Sequence, residues 1–453
     1  MEPREIIDQL VAKARKAQEE LNNFTQEQID AIVREIALTV FENAEPYAKM
    51  AAEESRMGVY EDKIKKNQGK SRAIWNSLKG KKSVGILERD EVTGITTVAR
   101  PIGVVGASTP CTNPVVTPMC NAMFAIKGRN TIIICPHPRT KNTNKVVCDE
   151  IIRRITKLGA PENTIQYIAE PSIELSGLLM KSVDIIVATG GMGMVKAAYS
   201  SGKPALGVGA GNVQCILDRD VNYAEACPKI VAGRMFDNGI ICSGEQTIIC
   251  PADKYDEIIS EMVKAGCYFI NNKADVDKMR ETLFPGGVMN KDLVGQGTQK
   301  IAEAAGLTIP EGTKVILVEA PAYGAADLLS KEKMCPVITT YRYETLEEAG
   351  DIAQANLDVE GRGHSVAMHT NDKAHAEYMA ERLTVCRILI NQICSTMNGG
   401  AFSNGLTPTT TLGCGSWGNN SISENLSYKH MINVIRIGYN NGKTQPSDEE
   451  IWG

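Results

Sequence analysis

The sequence predicts an α/β protein built from two doubly wound domains and a small hairpin. Three observations carry that prediction. From residue 102 onward, short runs of β-branched and aliphatic residues alternate with segments of helical apolar spacing. The runs are continuously apolar, as strands covered on both faces of a parallel sheet are. At 453 residues the chain also exceeds what one hydrophobic core fills, so two or three domains are needed.

The chain opens on helices. Ile6, Ile7, Leu10, Val11, Ala14 and Ala17 recur at helical spacing. Thr25, with Gln28 three residues on, forms a capping box ahead of an apolar face of Ile29, Ile32, Val33, Ile36 and Val40. Residues 86–100 mix β-branched residues with a Thr-Gly turn and read as a hairpin. A buried strand is expected at Ile102-Gly103-Val104-Val105-Gly106 and a second at Thr131-Ile132-Ile133-Ile134-Cys135, stopped by Pro136. Two more follow, at 164–168 and 184–188, with helices over 142–158 and 174–181. This is the pattern of a doubly wound sheet. A second α/β pattern runs from about residue 214 to 343, with a strand at 247–250 and a helix over 252–265. Residues 398–425 are rich in Gly, Ser, Thr and Asn; such a loop in a compact protein has a role or is disordered. The expected units are a first domain over 1–213, a second over 214–405, and a returning segment over 406–453.

Composition bounds the function. Hydrophobic residues make up 43% and charged residues 23%, ordinary globular values. A net charge of -5 leaves no basic footprint for nucleic acid. The one dense basic stretch, Lys63 to Lys82, reads as a solvated helix face plus loop. No run of about 18 apolar residues exists to span a membrane, and residues 1–21 lack a signal-peptide apolar region. Thirteen cysteines, an odd count without a C-x-x-C pair, argue against a disulfide framework and against a zinc site. A reduced, cytoplasmic protein is expected, with no metal.

Four stretches concentrate the chemistry. Thr189-Gly190-Gly191 follows an apolar strand and opens a helix, where backbone N–H groups favour phosphate; a tight packing turn accounts for it as well. Gly207-Val208-Gly209-Ala210-Gly211-Asn212 is too glycine-rich for an ordinary strand, so it marks backbone approach to a ligand, a domain crossover or a packing-driven bend. Cys242, in Asp237 to Gln246, has glycines on both sides that can leave its sulfur accessible. Asn113, in Ser108 to Pro114, can donate its amide to an oxyanion, or simply make an Asn-Pro turn.

In this order, with Pro136-His137-Pro138-Arg139, Ser200 to Asn212 and Leu406 to Leu426, these stretches resemble the aldehyde dehydrogenase superfamily along nearly the whole chain. The branch they resemble acylates coenzyme A. It includes the aldehyde-oxidising half of bifunctional aldehyde-alcohol dehydrogenases, microcompartment aldehyde dehydrogenases and acylating sulfoacetaldehyde dehydrogenase. No iron-dependent alcohol dehydrogenase half follows before Gly453. The resemblance implies that Cys242 is the nucleophile and that Asn113, with the Cys242 backbone N–H, holds the oxyanion. It places Thr189, Gly190 and Gly191 near the cofactor pyrophosphate, and Pro136, His137 and Pro138 beside the adenosine. It makes Glu332 the carboxylate for the nicotinamide ribose. His364 matches a histidine of the acylating branch, with a structural hydrogen bond and acid-base work both open as its role.

One departure selects the reaction. Hydrolytic aldehyde dehydrogenases carry a glutamate where this chain has Val208, 34 residues before Cys242. Without that general base, water attack on a Cys242 thioester is slow, whereas a thiol ionises near pH ~8.5 unaided. The expected reaction is therefore reversible acyl transfer from aldehyde to coenzyme A. The cofactor is NAD, with NADP also compatible because no carboxylate follows Cys135 to reject a 2′-phosphate. Acetaldehyde and sulfoacetaldehyde are the expected substrates, with propionaldehyde behind them. A hydrolytic enzyme is the alternative, opposed by Val208. A non-catalytic microcompartment scaffold is another, opposed by intact Cys242, Asn113 and Glu332. The first helix, starting by Arg4, reads as the domain's own, which favours a free cytosolic enzyme over a microcompartment one. The hairpin and tail resemble the family's subunit contacts and imply a homodimer or homotetramer.

Overall fold

A computed structural model describes residues 2–453. Four helices come first: α1 (Pro3–Leu21), α2 (Gln26–Glu42), α3 (Ala44–Ser55) and α4 (Tyr60–Leu78). The α2 cap is the expected reciprocal pair. The Gln28 N–H donates to Thr25 Oγ1 at 3.3 Å, and the Thr25 N–H donates to Gln28 Oε1 at 2.9 Å. The expected face of Ile29, Ile32, Val33, Ile36 and Val40 is buried. It joins one core with the first sheet and its flanking helices.

Strands β1 (Gly85–Asp90) and β2 (Ile95–Pro101) form the hairpin. Its turn is held by the Asp90 carboxylate, which accepts from the Val92 and Thr93 N–H groups at 2.9 and 3.2 Å.

The first parallel sheet is assembled from β3 (Val104–Thr109), α5 (Val116–Lys127), β4 (Thr131–Pro136), α6 (Lys141–Lys157), β5 (Ile165–Tyr167), α7 (Ile173–Ser182), β6 (Ile185–Ala188), α8 (Met192–Tyr199) and β7 (Ala205–Gly207). Its strand order is β5-β4-β3-β6-β7. The direction of winding reverses between β3 and β6, which makes their carboxyl ends the switch-point crevice where such sheets hold ligands. The strand expected from Ile102 starts two residues later. The Ile102 and Gly103 N–H groups donate to Asn130 Oδ1 at 2.7 and 3.0 Å, outside the sheet ladder. Gly103 has φ 130°, and a Cβ there would lie 2.2 Å from Asp184 Oδ2.

The second sheet contains β8 (Val213–Leu217), then α9 (Tyr223–Met235), β9 (Glu245–Pro251), β10 (Cys267–Ile270), β11 (Val315–Glu319), β12 (Val337–Tyr343), β13 (Val366–His369) and β14 (Ile388–Ile390). All pairings are parallel, in the order β10-β11-β12-β9-β8-β13-β14. The α/β pattern thus continues past residue 343, through two strands too short to stand out as apolar runs. The helix expected over 252–265 is a 3-10 turn at Ala252–Lys254 followed by a helix over Tyr255–Lys264.

The chain then returns to its beginning. Strand β15 (Ile432–Gly438) adds antiparallel to β2, in register from Ile432 opposite Pro101 to Gly438 opposite Ile95. Among the described residues no helix is long and apolar enough to cross a membrane.

The basic run is where the structure departs most from the sequence reading. Its first part is α4, and Lys63 is 3% exposed. Lys63 and Lys66 both turn inward onto the Asp237 carboxylate, at 3.0 and 2.6 Å. Burial alone would raise the Asp237 carboxyl, but the Lys66 and Lys63 ammonium groups override it and hold the group below its ordinary value. Removing one partner from a buried ion cluster leaves the remaining charge uncompensated. Asp237→Ala should therefore lower the unfolding free energy by about 3–5 kcal/mol, read from denaturant melts. A loss under about 1 kcal/mol would mean that water, not Asp237, compensates the two lysines.

Candidate active site

The chain between α9 and β9 is strained and tied down. Asp237, Asn238 and Gly239 have φ of 51°, 52° and 67°, three left-handed residues in a row. Contacts to α4 and its entry hold them. The Asp237 carboxylate accepts from the Val59 N–H at 2.8 Å as well as from the two lysines, and the Asp237 N–H donates to Asp62 Oδ2 at 2.9 Å. Asn238 Nδ2 donates to the Gly295 carbonyl at 3.0 Å. A Cβ at Gly239 would come within 2.8 Å of the Cys335 backbone. The turn closes with the Gly244 N–H on the Ile241 carbonyl at 2.9 Å, and β9 begins. Cys242 stands at this entrance, half-buried between half-buried Ile241 and buried Ser243.

What surrounds Cys242 decides its chemistry. The crossover from β7 to β8 passes directly behind it: a Cβ at Gly211 would sit 1.9 Å from the Cys242 carbonyl oxygen. The glycine-rich stretch is therefore a crossover from one sheet to the other, and the close approach it makes is to the Cys242 backbone. Val208 packs with Leu412 and Cys414 into a small apolar cluster, and Cys242 lies against it. The Cys242 thiol is pushed up to about 12 by burial, then by the Glu332 carboxylate and Cys414, while the Arg387 guanidinium opposes the rise. Glu332, half-buried, is itself raised to about 8 by burial and by Glu360. In this state Cys242 is a thiol at neutral pH.

Asn113 lies beyond the carboxyl end of β3. Its carbonyl accepts the Thr117 N–H at 3.3 Å, which starts α5. Its side-chain Oδ1 is buried without a hydrogen-bond partner. Lys66 ties this loop to the cysteine loop, because its Nζ contacts the Thr112 carbonyl at 3.4 Å and the Asp237 carboxylate at 2.6 Å.

Six of the sequence-predicted cofactor residues lie at the carboxyl ends of β4 and β6, on either side of β3, while Glu332 lies apart from them, near Cys242. Thr189 follows β6; its N–H donates to the Ser108 carbonyl of β3 at 3.1 Å, and its hydroxyl meets the Thr411 hydroxyl at 3.0 Å. Gly191 caps α8, and a Cβ there would meet nothing within 4 Å; at Gly190 it would touch only Met194. Pro136 ends β4, next to β3. His137 Nδ1 accepts the Arg139 N–H at 3.1 Å and so caps the 3-10 turn that begins at Pro138. Burial and Arg139 hold its imidazole below the ordinary range.

His364 departs from one of its two expected roles. Its ring is fully buried and neither nitrogen has a hydrogen-bond partner, so it makes no structural hydrogen bond among the described residues. Burial and Arg387 push it down to about 3, leaving a neutral imidazole.

Several groups beside the site were not singled out in the sequence. Arg387 is 6% exposed and is held by Ser365 Oγ at 3.2 Å, Asn425 Oδ1 at 3.3 Å and the His364 carbonyl at 2.8 Å. A lone arginine inside the apolar run at 385–390 was the available signal. Glu245 opens β9 fully buried, pushed up to about 7 by burial, with Oε1 accepting the Cys394 N–H at 2.7 Å. Lys70 follows Lys63 and Lys66 on one face of α4, a spacing legible in the sequence had the face been read as buried.

Residues 2–405 match the aldehyde dehydrogenase family. The chain is 51% identical over 448 residues to a succinate-semialdehyde dehydrogenase (acetylating) of Clostridium kluyveri, covering 99% of each chain. It is 38% identical over 454 residues to a sulfoacetaldehyde dehydrogenase (acylating) of Bilophila wadsworthia, covering 99% of this chain and 98% of that one. The crystal structure of a Rhodopseudomonas palustris propionaldehyde dehydrogenase, with bound CoA and an acylated cysteine, matches with a TM-score of 0.86 at 27% identity over 96% of this chain and 97% of that one. A parallel sheet with its switch-point crevice, a second sheet with a cysteine at its entrance and these likenesses point the same way: the chain belongs to the aldehyde dehydrogenase family, among its acylating members.

Proposed function

We propose that the chain oxidises a small aldehyde through a thioester on Cys242 and passes the acyl group to coenzyme A, with NAD or NADP as acceptor of the hydride. The observation that carries this reading is Val208. An apolar cluster of Val208, Leu412 and Cys414 covers the thiol where hydrolytic relatives present a general base. Water at that position has no carboxylate to take its proton. The thiol of coenzyme A needs far less help, and the thioester bond is conserved in the exchange.

The residues divide the work as follows. Cys242, once deprotonated, attacks the aldehyde carbon. Arg387 is the cation that favours its thiolate. Asn113, whose Oδ1 is buried with no partner among the described residues, donates from Nδ2, with the Cys242 N–H, to the oxygen that becomes negative. An oxidised nicotinamide supplies the hydride acceptor when bound. The carboxyl ends of β4, β3 and β6 fit such a dinucleotide: Gly190 and Gly191 leave open space at the α8 N-terminus for pyrophosphate, and Pro136, His137 and Pro138 flank the adenosine side. Glu332 offers its carboxyl to ribose hydroxyls. His364 stays neutral, and an imidazole pushed down to about 3 is a weak base, so its unpartnered ring nitrogens offer hydrogen bonds to a bound ligand rather than take up a proton.

For the substrate, acetaldehyde and sulfoacetaldehyde are both open from the sequence; sulfoacetaldehyde is supported by the name of the 38%-identical relative, and succinate semialdehyde, named by the 51%-identical one, enters only with the comparison. The β1-β2-β15 sheet, with Ile86, Val434, Ile435 and Ile437 exposed on it, is proposed as the contact of a homodimer or homotetramer.

Two measurements test the reaction. Cofactor reduction followed by absorbance should be sustained only with coenzyme A present, and Cys242→Ala should abolish it. Asn113→Ala should lower kcat by about 100- to 1,000-fold while the protein still unfolds cooperatively. Sustained turnover without coenzyme A would contradict the argument from Val208. A third follows from the raised thiol. Because Cys242 is mostly protonated at neutral pH, the pre-steady-state burst should quicken by up to about tenfold per pH unit between pH 6 and 9. A burst rate flat with pH would mean that binding, not ionisation, controls attack.

A further inference from the structure

Helix α4 aims three lysines at the interior, but the described carboxylates pair with only two. Lys63 and Lys66 share Asp237. Lys70, one turn beyond Lys66, has no ion pair among the described residues. Its single hydrogen bond is from Nζ to the Gly399 carbonyl at 2.9 Å. An ammonium has three donors, so two remain uncommitted. The chain makes room for this group: a Cβ at residue 399 would lie 2.5 Å from Lys70 Nζ, a position only glycine leaves free. Burial, the largest influence, pushes Lys70 down to about 8, while Cys120 and Cys242 pull it back up. It therefore keeps its charge at neutral pH, within electrostatic reach of the nucleophile.

We propose that Lys70 is the recognition point for an acid group on the far end of the aldehyde, a carboxylate or a sulfonate two or three bonds from the carbonyl carbon. The assignment rests on the reading of Cys242 as nucleophile. An unpaired, half-buried cation one turn beyond Lys66, which touches the Asn113 loop at the Thr112 carbonyl, is matched by a substrate carrying the missing anion. Arg387, the other cation near Cys242, is fixed through all three of its nitrogens to Ser365, Asn425 and His364. Lys70 is held at a single point, so its ammonium is free to turn its two remaining donors toward a ligand. A charge-assisted bond to the anion adds affinity that an uncharged aldehyde of the same length does not gain.

The test compares kcat/KM for succinate semialdehyde and butyraldehyde, and for sulfoacetaldehyde and propionaldehyde, in the wild-type chain, Lys70→Met and Lys70→Arg, with coenzyme A and cofactor saturating. In Lys70→Met the anionic-to-neutral ratio should fall by about 10- to 100-fold, mainly through KM, and Lys70→Arg should recover most of it. The carboxylate and sulfonate arms identify which acid is preferred. As a readout without turnover, succinate should slow alkylation of Cys242 by iodoacetamide in the wild-type chain but not in Lys70→Met. Parallel losses on charged and neutral aldehydes would overturn the assignment and make Lys70 a partner of the thiolate instead. So would a wild-type enzyme that takes neutral aldehydes with coenzyme A but neither anionic one, which leaves the acylation reading standing. No coenzyme A-dependent turnover of any aldehyde would remove both.

Discussion

Much of this site hangs on one buried charge cluster. Asp237 accepts from two lysines of α4 and from the Val59 N–H at its entrance. An ion cluster taken out of water gains little net stability over apolar packing of the same volume. What it supplies here is position. The carboxylate fixes three consecutive left-handed residues, and the cysteine follows five residues after the anchor. Through the Thr112 carbonyl, Lys66 also reaches the loop of Asn113, so one ammonium sets the Cys242 loop and the Asn113 loop against a common helix. The two loops come from different sheets, and α4 is the rigid element between them.

This arrangement explains which parts were legible in the sequence. The first sheet was, because its strands are unbroken aliphatic runs and its helices carry caps and periodic faces. The second was legible only in part. Strands β13 and β14 span four and three residues, too short to register as runs, and a histidine and an arginine flank them. The lysine run was misread because charge on a helix is ordinarily solvated, and nothing local marks an aspartate 174 residues away as the partner. His364 shows a related limit: sequence can mark a histidine, but the lack of a partner for either ring nitrogen among the described residues is a tertiary fact. Cys242, Asn113 and the Thr189 turn were individually weak and became convincing only in their order along the chain.

The electrostatics describe a site at rest. A thiol raised by burial and a neighbouring carboxyl, and a histidine kept neutral, are groups whose charged forms are disfavoured until something changes around them. Glu332 and Cys242 each make ionisation of the other less favourable. Occupying Glu332 with hydroxyl donors would favour its charged form, while closing the cleft would desolvate it further, so ligand binding acts on both groups together.

The close approach of Gly211 to Cys242 has a mechanical meaning. The backbone that joins the two parallel sheets runs against the Cys242 carbonyl, with no side chain between them to cushion a shift. A hinge at this crossover would displace the sulfur directly. Any motion of the first sheet against the second would be carried by the joining strand to Cys242. The chain's own covalent link between the sheets would act as a lever with its short arm at that sulfur.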